Sequence, residues 1–555
     1  MVAQLASNAG SYIAIDAGGS RLRGYESLNE TEFSGSGVMH TNSLALDLAH
    51  NIAAAIPAEI LEVETLILSL AAIPQKRSDL ELLAAAILQR VRFAKLVIAS
   101  DTKAAALSSN THADLTIAVG TGITALVNTA EHNFELTGHG YLIGDEASGF
   151  WIGRNGLNAA LRADEGRGPE TSLLNAAIDF YQVPAMQLAD HIHQLPTPVA
   201  QVAAFAPSVT QAAINGDAEA LFIISQAANE IAVLIEVAIE RAQIKSVALV
   251  GGAIPHGELL HAQVLAASQS LEVEFVIQTA EPLQGARKIA ENLDLYSDLI
   301  AISSSEISIE IWSDLYLLQS QALLGEVAQT QRSAVSASID LFANALSNGK
   351  LIHTFGTGHS HLLAEEIFYR AGGLAAIYPI LDERLMLHKD VVKGSHNERL
   401  PGLAQELLHQ HPISSGDVVI VISNSGGNQV TIDLIKLAQG LGAKVIAVTS
   451  LNHATSKSAR SSAAEKIHQL ADVVLDNSGV VGDALIRVTG SRMAVGPTST
   501  VIGAALLQSV VVGTVAECLK RGVDLEIFLS SNLAGGDENN AAIFDKYRSL
   551  INLYN

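Results

Sequence analysis

The sequence predicts an α/β protein of at least two domains, and three observations support this class. Its 555 residues are enough for about two to four domains that each bury a core. Short apolar, β-branched runs that end at Gly, Ser, Thr or Asp alternate with longer stretches of helical periodicity. The composition is 49% hydrophobic with few aromatic residues, which is typical of a soluble protein of this class.

Residues 1–298 are predicted to form the first domain, in which apolar runs that end in turn residues are the strands. These runs are AIDAGG, LILSLAAIP, KLVIASD, LTIAVGTG and KSVALVGG. Helical periodicity lies between them, for example in DLELLAAAILQRV. Because the pattern of strand, glycine and hydroxyl recurs within this half, it indicates an internally duplicated fold.

Residues 299–310 carry much of a serine cluster and are predicted to be a linker. Residues 311–555 then begin with two predicted helices. Five strands follow, separated by helices such as TIDLIKLAQGLG: LIHTFGTG, AAIYPIL, DVVIVISNSG, KVIAVTS and DVVLDN. This alternation predicts a doubly wound parallel sheet in the second domain.

Charge and cysteine content exclude several classes of function. The net charge of −24 leaves no basic footprint for a nucleic acid and disfavours an anionic membrane surface, so anionic ligands must be held by local donors. The one cysteine, Cys518, is expected to be small and buried, and it excludes disulfides within the chain. The apolar run at 501–515 contains Gln508 and Ser509 and predicts a buried helix rather than a membrane span. We therefore expect a cytoplasmic protein.

Glycine-rich turns after three strands of the first domain suit the phosphates of a nucleotide. A glycine lets the backbone approach a phosphate closely, and a carboxylate at a strand end, Asp16, suits hydrated Mg²⁺. Taken singly, each turn is more often only a turn. The P-loop and GxGxxG patterns are both missing, so a P-loop site and a dinucleotide site lose support. The predicted contacts with ATP are Asp16, Gly18, Gly19, Ser20, Gly120, Thr121, Gly122, Gly251 and Gly252.

In combination these turns resemble the duplicated actin/hexokinase-like (ribonuclease-H-like) ATPase fold. The segment GHGYLIGDEASGFWIGRNGL (Gly138 to Leu157) is similar to the signature of the N-acetylglucosamine kinase and BadF/BadG-type ATPase family, and EPLQGARKIA (Glu281 to Ala290) is similar to its late GA motif. The resemblance covers residues 10–298. It implies an ATP-dependent amino-sugar kinase that uses Mg²⁺.

The resemblance also implies roles for three residues. Asp101 matches the aspartate that accepts the proton of the attacking sugar hydroxyl, and Asp145 and Asn42 match residues that bind the sugar. Asp101 could instead cap the following helix, and Asp145 could close a turn. Some family members share an iron–sulfur cluster between subunits, but the first domain has no cysteine for it.

Three hydroxyl-rich loops in the second domain, FGTGHSH, ISNSGGN and GPTST, are predicted to meet on the parallel sheet. Helix N-termini follow them, where N–H groups and hydroxyls favour an anion, although each loop taken alone is more often only a helix cap. The predicted phosphosugar contacts are Ser360, Ser423, Ser425, Thr498, Ser499 and Thr500. The whole stretch 311–555 resembles single-domain SIS (sugar isomerase) proteins, and VIVISNSGGNQV resembles the SIS signature.

Isomerisation of a sugar phosphate needs a base beside the carbonyl group and often a second group that assists ring opening. The predicted catalytic residues are His359, Glu398 and Glu366, chosen from a set that also includes His361 and His396. GSRMAVGPTST loosely resembles N-acetylmuramic acid 6-phosphate etherases, so lyase or epimerase chemistry stays open. No metal is expected in this half, since its His, Glu and Asp residues lack ligand spacing.

The expected function is bifunctional: phosphorylation of N-acetylglucosamine or a relative, followed by conversion of the sugar phosphate. The alternative is a kinase with a non-catalytic SIS sensor that binds sugar phosphate and regulates it. Expected partners are an amino sugar and a sugar phosphate, with no nucleic acid and no membrane. SIS sites usually form between subunits, so the resemblance implies a homodimer through the second domain.

Overall fold

The computed structural model describes residues 10–18, 21–37, 44–71, 73–74, 76–108, 113–195, 198–255, 257–277, 281–293 and 299–554. The chain divides into two compact units, Met1–Trp312 and Ser313–Asn555. Each unit is an α/β structure with its own core.

The first unit contains eleven strands in its described residues. They are β1 (Tyr12–Ala17), β2 (Arg21–Glu26), β3 (Thr31–Ser36), β4 (Thr65–Leu70), β5 (Lys95–Ser100), β6 (Leu115–Val119), β7 (Ile123–Asn128), β8 (Asn133–Thr137), β9 (Ser246–Val250), β10 (Glu274–Phe275) and β11 (Ile300–Ser303). Its helices are α1 (Leu44–Ala55), α2 (Arg77–Ile87), α3 (Asp101–Ser108), α4 (Gly149–Asp164), α5 (Leu173–Tyr181), α6 (Leu188–Gln194), α7 (Pro198–Ala204), α8 (Ala206–Ile214), α9 (Ala218–Ala242), α10 (Leu259–Ala267) and α11 (Pro282–Glu291).

Two sheets form the first unit, with strand orders β11-β5-β4-β1-β2-β3 and β10-β9-β6-β7-β8, and they share one topology apart from the additional edge strand β11 of the first. In each sheet an antiparallel three-stranded meander is extended by two strands parallel to its first strand. The central strands β1 and β4 are buried along their whole length, because helices cover both faces. The internal duplication predicted from the sequence is therefore confirmed.

The last helix of the first unit returns to the first sheet. Ala286 and Ile289 of α11 pack against Ala14 and Ile67, so the end of this unit helps to bury its beginning. Gly285 permits a close approach of α11 to α3, because a Cβ atom there would lie 1.7 Å from the carbonyl oxygen of Ala104 in α3.

Residues 299–310 do not form the free linker that was predicted from the serine cluster. Ile300–Ser303 form β11, which pairs antiparallel with β5 at the edge of the first sheet. The Ser308 hydroxyl donates to the carboxylate of Glu81, which further fixes this segment to the first unit. Pairing with a strand about two hundred residues away outweighs the local turn tendency of serine.

The second unit begins within α12 (Ile309–Thr330) and continues with α13 (Arg332–Ser347). Its strands are β12 (Ile352–Gly356), β13 (Ile377–Pro379), β14 (Val418–Ile422), β15 (Lys444–Thr449), β16 (Val473–Asp476), β17 (Ala484–Ile486) and β18 (Val495–Pro497). Its remaining helices are α14 (His361–Glu366), α15 (Val391–Asn397), α16 (Leu403–Gln410), α17 (Gln429–Gly440), α18 (Leu451–Ala454), α19 (Ile467–Leu470), α20 (Ser499–Lys520) and α21 (Gly536–Tyr547).

The main sheet of the second unit is parallel throughout, in the order β13-β12-β14-β15-β16. The chain order reverses between β12 and β14, and such a switch point opens a crevice at the carboxyl ends of the strands. The five predicted strands and the doubly wound arrangement are confirmed.

The GPTST segment is a correction to the sequence analysis. It does not follow a strand of the parallel sheet. Instead its Gly496 and Pro497 are part of β18, which pairs with β17 in a separate two-stranded sheet, and α20 begins at Ser499. A short apolar run before a Gly-Pro turn is equally typical of a hairpin strand, so local sequence could not separate the two.

Two helices among the described residues, α9 and α20, are long and apolar enough to cross a membrane. Each nevertheless buries one face inside its own unit, for example through Ile231 of α9 and Leu506 of α20. The run at 501–515 thus belongs to a helix of the second core, and Cys518 is fully buried at its end. Such burial is typical of the core helices of soluble proteins.

Candidate functional sites

The first site lies at the carboxyl ends of three adjacent parallel strands. Asp16 at the end of β1 is level with Ser69 of β4, and Ser69 is level with Ala99 of β5. Asp101 follows β5 directly and begins α3. Because one strand separates β1 from β5, Asp16 lies roughly 10 Å from the level residue Ala99, and Asp101 follows beyond Ala99 at the same edge. That spacing leaves room for a phosphoryl group and a sugar hydroxyl between Asp16 and Asp101.

Asp16 is a buried carboxylate at this edge, with 7% of its surface exposed. Its Oδ2 accepts a hydrogen bond from Arg23 at 2.9 Å, and its Oδ1 accepts one from Ser69 at 3.4 Å. Burial raises the pKa of Asp16, while Arg23 and Ser69 act in the opposite direction. A buried carboxylate with one cationic neighbour fits the water-mediated contact with Mg²⁺ that the sequence predicts.

The glycine turns of the second sheet lie close to one another. Gly149 N donates to Gly120 O at 2.8 Å, which joins the start of α4 to the turn after β6. Gly251 has φ 113°, and a Cβ atom there would lie 2.3 Å from Val119 O, so only glycine allows this approach. Open space surrounds the Cβ positions of Gly120 and Gly252, which leaves a cradle for a ligand.

Asp145 is brought to the same turn. It is 8% exposed and has a left-handed backbone, with φ 61°. A Cβ atom on Gly122 would lie 2.9 Å from Asp145 Oδ2, so the predicted sugar-binding carboxylate and the predicted nucleotide turn are neighbours. Thr121 lies in the same turn, where its carbonyl oxygen accepts from Phe150 N at 3.1 Å.

Three predicted contacts, Gly19, Ser20 and Asn42, lie outside the described residues. Gly18 is described, and its N–H donates to Arg21 O at 3.1 Å in the turn between β1 and β2. The placement of Gly18 therefore agrees with a turn beside Asp16.

The second site is a cavity of about 360 Å³ at the switch point between β12 and β14. Loops after both strands, the start of α20 and the loop before α16 surround it. Its walls include seven residues that the sequence analysis selected: His359, Ser360, Glu398, Ser423, Ser425, Ser499 and Thr500. The remaining one from these loops, Thr498, is fully buried directly before α20.

The hydroxyl groups of this cavity are held by hydrogen bonds to neighbouring loop residues. Ser423 Oγ accepts from Gly426 N at 3.1 Å, which shapes the loop before α17. Ser499 donates through its hydroxyl to Asp483, and its N–H also donates to Asp483 at 3.0 Å. Ser360 directly precedes α14. Helix starts and hydroxyls thus meet around one space, an arrangement that suits a phosphate.

Glu398 is one of two carboxylates in the walls of this cavity, and the other is Asp483. Its side chain is only 15% exposed, and its Oε2 accepts from Thr357 Oγ1 at 2.9 Å. Burial raises its pKa, although the hydrogen bond from Thr357 and the charge of Arg399 at 3.8 Å oppose this. A largely buried carboxyl group with a raised pKa can act as a proton acceptor and donor near neutral pH.

The other predicted acid–base candidates separate into two groups. His359 lines the cavity with Glu398. Glu366 does not, because it forms an ion pair with Arg370 and lines a different cleft of about 580 Å³. His361 is buried and donates through Nδ1 to the carbonyl oxygen of Gly358, so it supports the loop, and His396 is exposed outside the cavity walls.

Two titratable residues of the cavity, His453 and Asp483, were not selected from the sequence as site residues. His453 Nδ1 accepts from Gly482 N at 2.8 Å, and Asp483 accepts the N–H groups of Thr498 and Ser499. Their segments, AVTSLNHA and GDALI, form no recognised chemical motif. Among the described residues, no group of three or more His, Cys, Asp or Glu side chains is placed to hold a metal ion.

Family models match both halves of the chain. The model of the BadF/BadG/BcrA/BcrD ATPase family matches residues 26–290, and that of the SIS domain matches residues 315–450. Among solved structures, a candidate N-acetylglucosamine kinase of Chromobacterium violaceum is 23% identical, with a TM-score of 0.41, over 51% of this chain and 99% of that one. A phosphoheptose isomerase of Francisella tularensis is 18% identical, with a TM-score of 0.24, over 36% of this chain and 95% of that one.

Curated relatives are more similar in sequence. A UPF0309 protein of Halalkalibacterium halodurans is 40% identical over 225 residues, which are 40% of this chain and 93% of that protein. The length of this match is close to that of the second unit, Ser313–Asn555. The chain therefore belongs to the UPF0309 family, and it carries a SIS domain together with an ATPase domain of the BadF/BadG/BcrA/BcrD family.

Proposed function

We propose that the protein is a bifunctional amino-sugar enzyme. The first unit transfers the γ-phosphoryl group of ATP to N-acetylglucosamine or a related hexosamine, and the second unit converts the resulting sugar phosphate. The observation that carries this proposal is the cavity at the switch point, where hydroxyl-bearing loops suited to a phosphate surround the largely buried carboxylate of Glu398. A binding site alone would not need that carboxylate.

In the first unit, Asp101 accepts the proton of the sugar hydroxyl as it attacks the phosphoryl group. Asp145 holds other hydroxyls of the sugar beside the glycine turns that receive ATP. Asp16 would hold Mg²⁺ through water, and the ion would supply positive charge that neutralises the phosphates. The remaining contribution of the chain is to position the two reactants.

In the second unit, isomerisation, epimerisation and elimination of a C3 substituent share a first step. Each removes the proton from C2 of the open-chain sugar, next to the C1 carbonyl group. Glu398 takes this proton, while the loops around Ser360, Ser423 and Ser499 bind the phosphate. His359, in the same cavity, assists ring opening.

The kinase half is tested by incubating the protein with ATP and a panel of amino sugars and detecting products by mass spectrometry. We expect one hexosamine to gain a phosphoryl group, and Asp101→Asn to slow this by about 10²- to 10⁴-fold because it removes the base. Asp145→Asn is the matched control: it raises the KM for sugar more than it lowers kcat. An unchanged rate in Asp101→Asn would refute the assignment of the base.

The SIS half is tested in D₂O with the phosphorylated product. We expect C2 to gain deuterium, detected as a mass increase, and Glu398→Gln to abolish this exchange while the sugar phosphate still binds. Binding without exchange by the unaltered protein would contradict an enzymatic role and favour the sensor.

We further propose that the protein is a cytoplasmic homodimer that associates through its second unit. On α20 the residues Val501, Val512 and Leu519 are exposed and lie on one face of the helix. Such an apolar stripe suits a second copy of the same helix. Light scattering should give a dimer mass that Val512→Glu lowers to a monomer, whereas Val233→Glu on α9 leaves it unchanged.

A further inference from the structure

His453 has a fixed orientation in the wall of the SIS cavity. It comes from α18, after β15, whereas Glu398 follows α15, so two separate elements bring these groups to one space. The imidazole is partly exposed, which leaves it accessible to a ligand. Neither the family models nor the sequence motifs assign it a role.

The hydrogen bond at Nδ1 decides which tautomer of His453 is present. Gly482 N lies 2.8 Å from Nδ1, and a backbone N–H can only donate. Nδ1 must therefore accept, and in the neutral ring the proton is on Nε2. The chain thus presents an N–H donor at the one ring nitrogen that this contact leaves for a ligand.

The surroundings hold this arrangement rigidly. Gly482 has φ 86° and Asp483 has φ 63°, so the turn that carries the N–H group is tightly bent. The carboxylate of Asp483 accepts N–H groups at the start of α20, which attaches the turn to that helix. On the other side, His453 N donates to Ser450 Oγ at 3.0 Å, and this hydroxyl donates to Gly479 O at 2.6 Å.

We propose that His453 is a catalytic residue whose Nε2–H donates a hydrogen bond to the C1 carbonyl oxygen of the sugar phosphate. This inference rests on the proposed function of the second unit. As the C2–H bond breaks, Glu398 takes the proton and the electron pair of that bond forms the C1=C2 double bond. The π electrons of the carbonyl group move to the oxygen, and Nε2–H stabilises the charge that develops there. Return of the proton to carbon completes the step without a further reactant.

Two substitutions of His453 separate its two nitrogen atoms. In His453→Asn, the amide oxygen lies near the position of Nδ1 and can still accept from Gly482, but the donor at Nε2 is lost. In His453→Gln, the longer side chain can place an N–H group near Nε2. The probe is N-acetylglucosamine 6-phosphate in D₂O, and the readout is deuterium at C2.

We expect His453→Asn to slow exchange by about 10²- to 10³-fold, as is typical when one donor to a developing oxyanion is removed. His453→Gln should recover part of this loss. Both variants should keep the thermal stability and the affinity for inorganic phosphate of the unaltered protein, which a merely structural role would not predict. Nitrogen-15 NMR should find Nε2 protonated and Nδ1 unprotonated in the neutral ring.

The outcomes distinguish the inference from the function on which it rests. If the unaltered protein binds this probe without exchanging C2, the proposed function fails, and with it the role of His453. If the unaltered protein exchanges C2 and His453→Asn does so equally fast, only the role of His453 is overturned. A neutral ring with its proton on Nδ1 would also overturn it.

Discussion

At the scale of single residues, Glu398 illustrates how burial prepares a side chain for proton transfer. Its raised pKa results first from removal of water, and the hydrogen bond from Thr357 only moderates the effect. The ionised form is the one that can accept a proton from carbon. Burial therefore makes this carboxylate a stronger base than a glutamate in water.

This shift predicts the acid side of the pH profile for exchange at C2. Because the active form is the carboxylate and its pKa in the fold is raised, the rate should fall as the pH is lowered through a value above the ordinary glutamate pKa of about 4.3. The measurement is the rate of deuterium exchange between pH 4 and 8. A rate that stays constant down to the ordinary value would contradict the assignment of Glu398 as the base.

The effect of Glu398→Gln on thermal stability is a second test of the raised pKa of Glu398. A carboxyl group whose pKa is raised by folding binds its proton more tightly in the folded state, so its ionised form destabilises the fold above the unfolded pKa. The glutamine variant should therefore unfold at a slightly higher temperature than the unaltered protein at pH 7. This difference should disappear below the unfolded pKa, where both side chains are neutral.

At the scale of elements, Asp417 fixes the strands that carry the SIS cavity. It is 3% exposed and accepts from Leu351 N at 3.0 Å before β12, from Ser414 N at 2.7 Å and from His353 Nε2 at 3.2 Å. Burial alone would raise the pKa of Asp417, but these hydrogen bonds outweigh it and lower the pKa. Its contribution to stability is thus present above the unfolded pKa and lost as the pH falls through the folded one.

We predict that Asp417→Ala lowers the free energy of unfolding at pH 7 by about 3 kcal/mol, because it leaves buried donors without an acceptor. Calorimetry or urea unfolding measures this loss, which should shrink in acid. Asp545→Ala is the control, since Asp545 is exposed and pairs with Arg548 at the surface, and its effect should stay within about 0.5 kcal/mol. Equal effects of the two substitutions would show that Asp417 does not join the strands.

A second prediction for elements concerns the contact between α3 and α11. Gly285→Ala would place a Cβ atom against the carbonyl oxygen of Ala104, so the helices must separate, at a cost of about 1–3 kcal/mol. Because α3 begins at Asp101, phosphorylation should fall as well. Gly325→Ala in α12 is the control, because open space surrounds that position and a helix favours alanine. Unchanged kinase activity in Gly285→Ala would contradict this coupling.

The sequence predicted those elements whose signal is local. The strands β12 and β14 were predicted because apolar runs end in glycine and serine, and these loops do line the cavity. β11 was missed because its stability comes from pairing with β5, far away in the chain. His453 was missed for a related reason: its role depends on the N–H group of Gly482, which only the fold brings near.

At the scale of the whole molecule, each proposed reaction has its site inside one unit. The described residues of the kinase site belong to Met1–Trp312, and those of the SIS cavity belong to Ser313–Asn555. Because one chain carries both units, the two proposed enzymes are synthesised in equal numbers. This arrangement does not by itself require that the sugar phosphate pass directly between them.

This separation predicts that two variants, each inactive at a different one of the two sites, can complement each other. Asp101→Asn should lack phosphorylation but keep C2 exchange of an added sugar phosphate, and Glu398→Gln should show the reverse, because neither residue contributes to the other site. A mixture of the two variants, given ATP and the amino sugar, should therefore form the final product after a lag in which the sugar phosphate accumulates in solution. Mass spectrometry of timed samples measures both species. If the mixture accumulates the sugar phosphate without converting it, although Asp101→Asn converts the same compound when it is added pure, the two sites depend on each other within one chain.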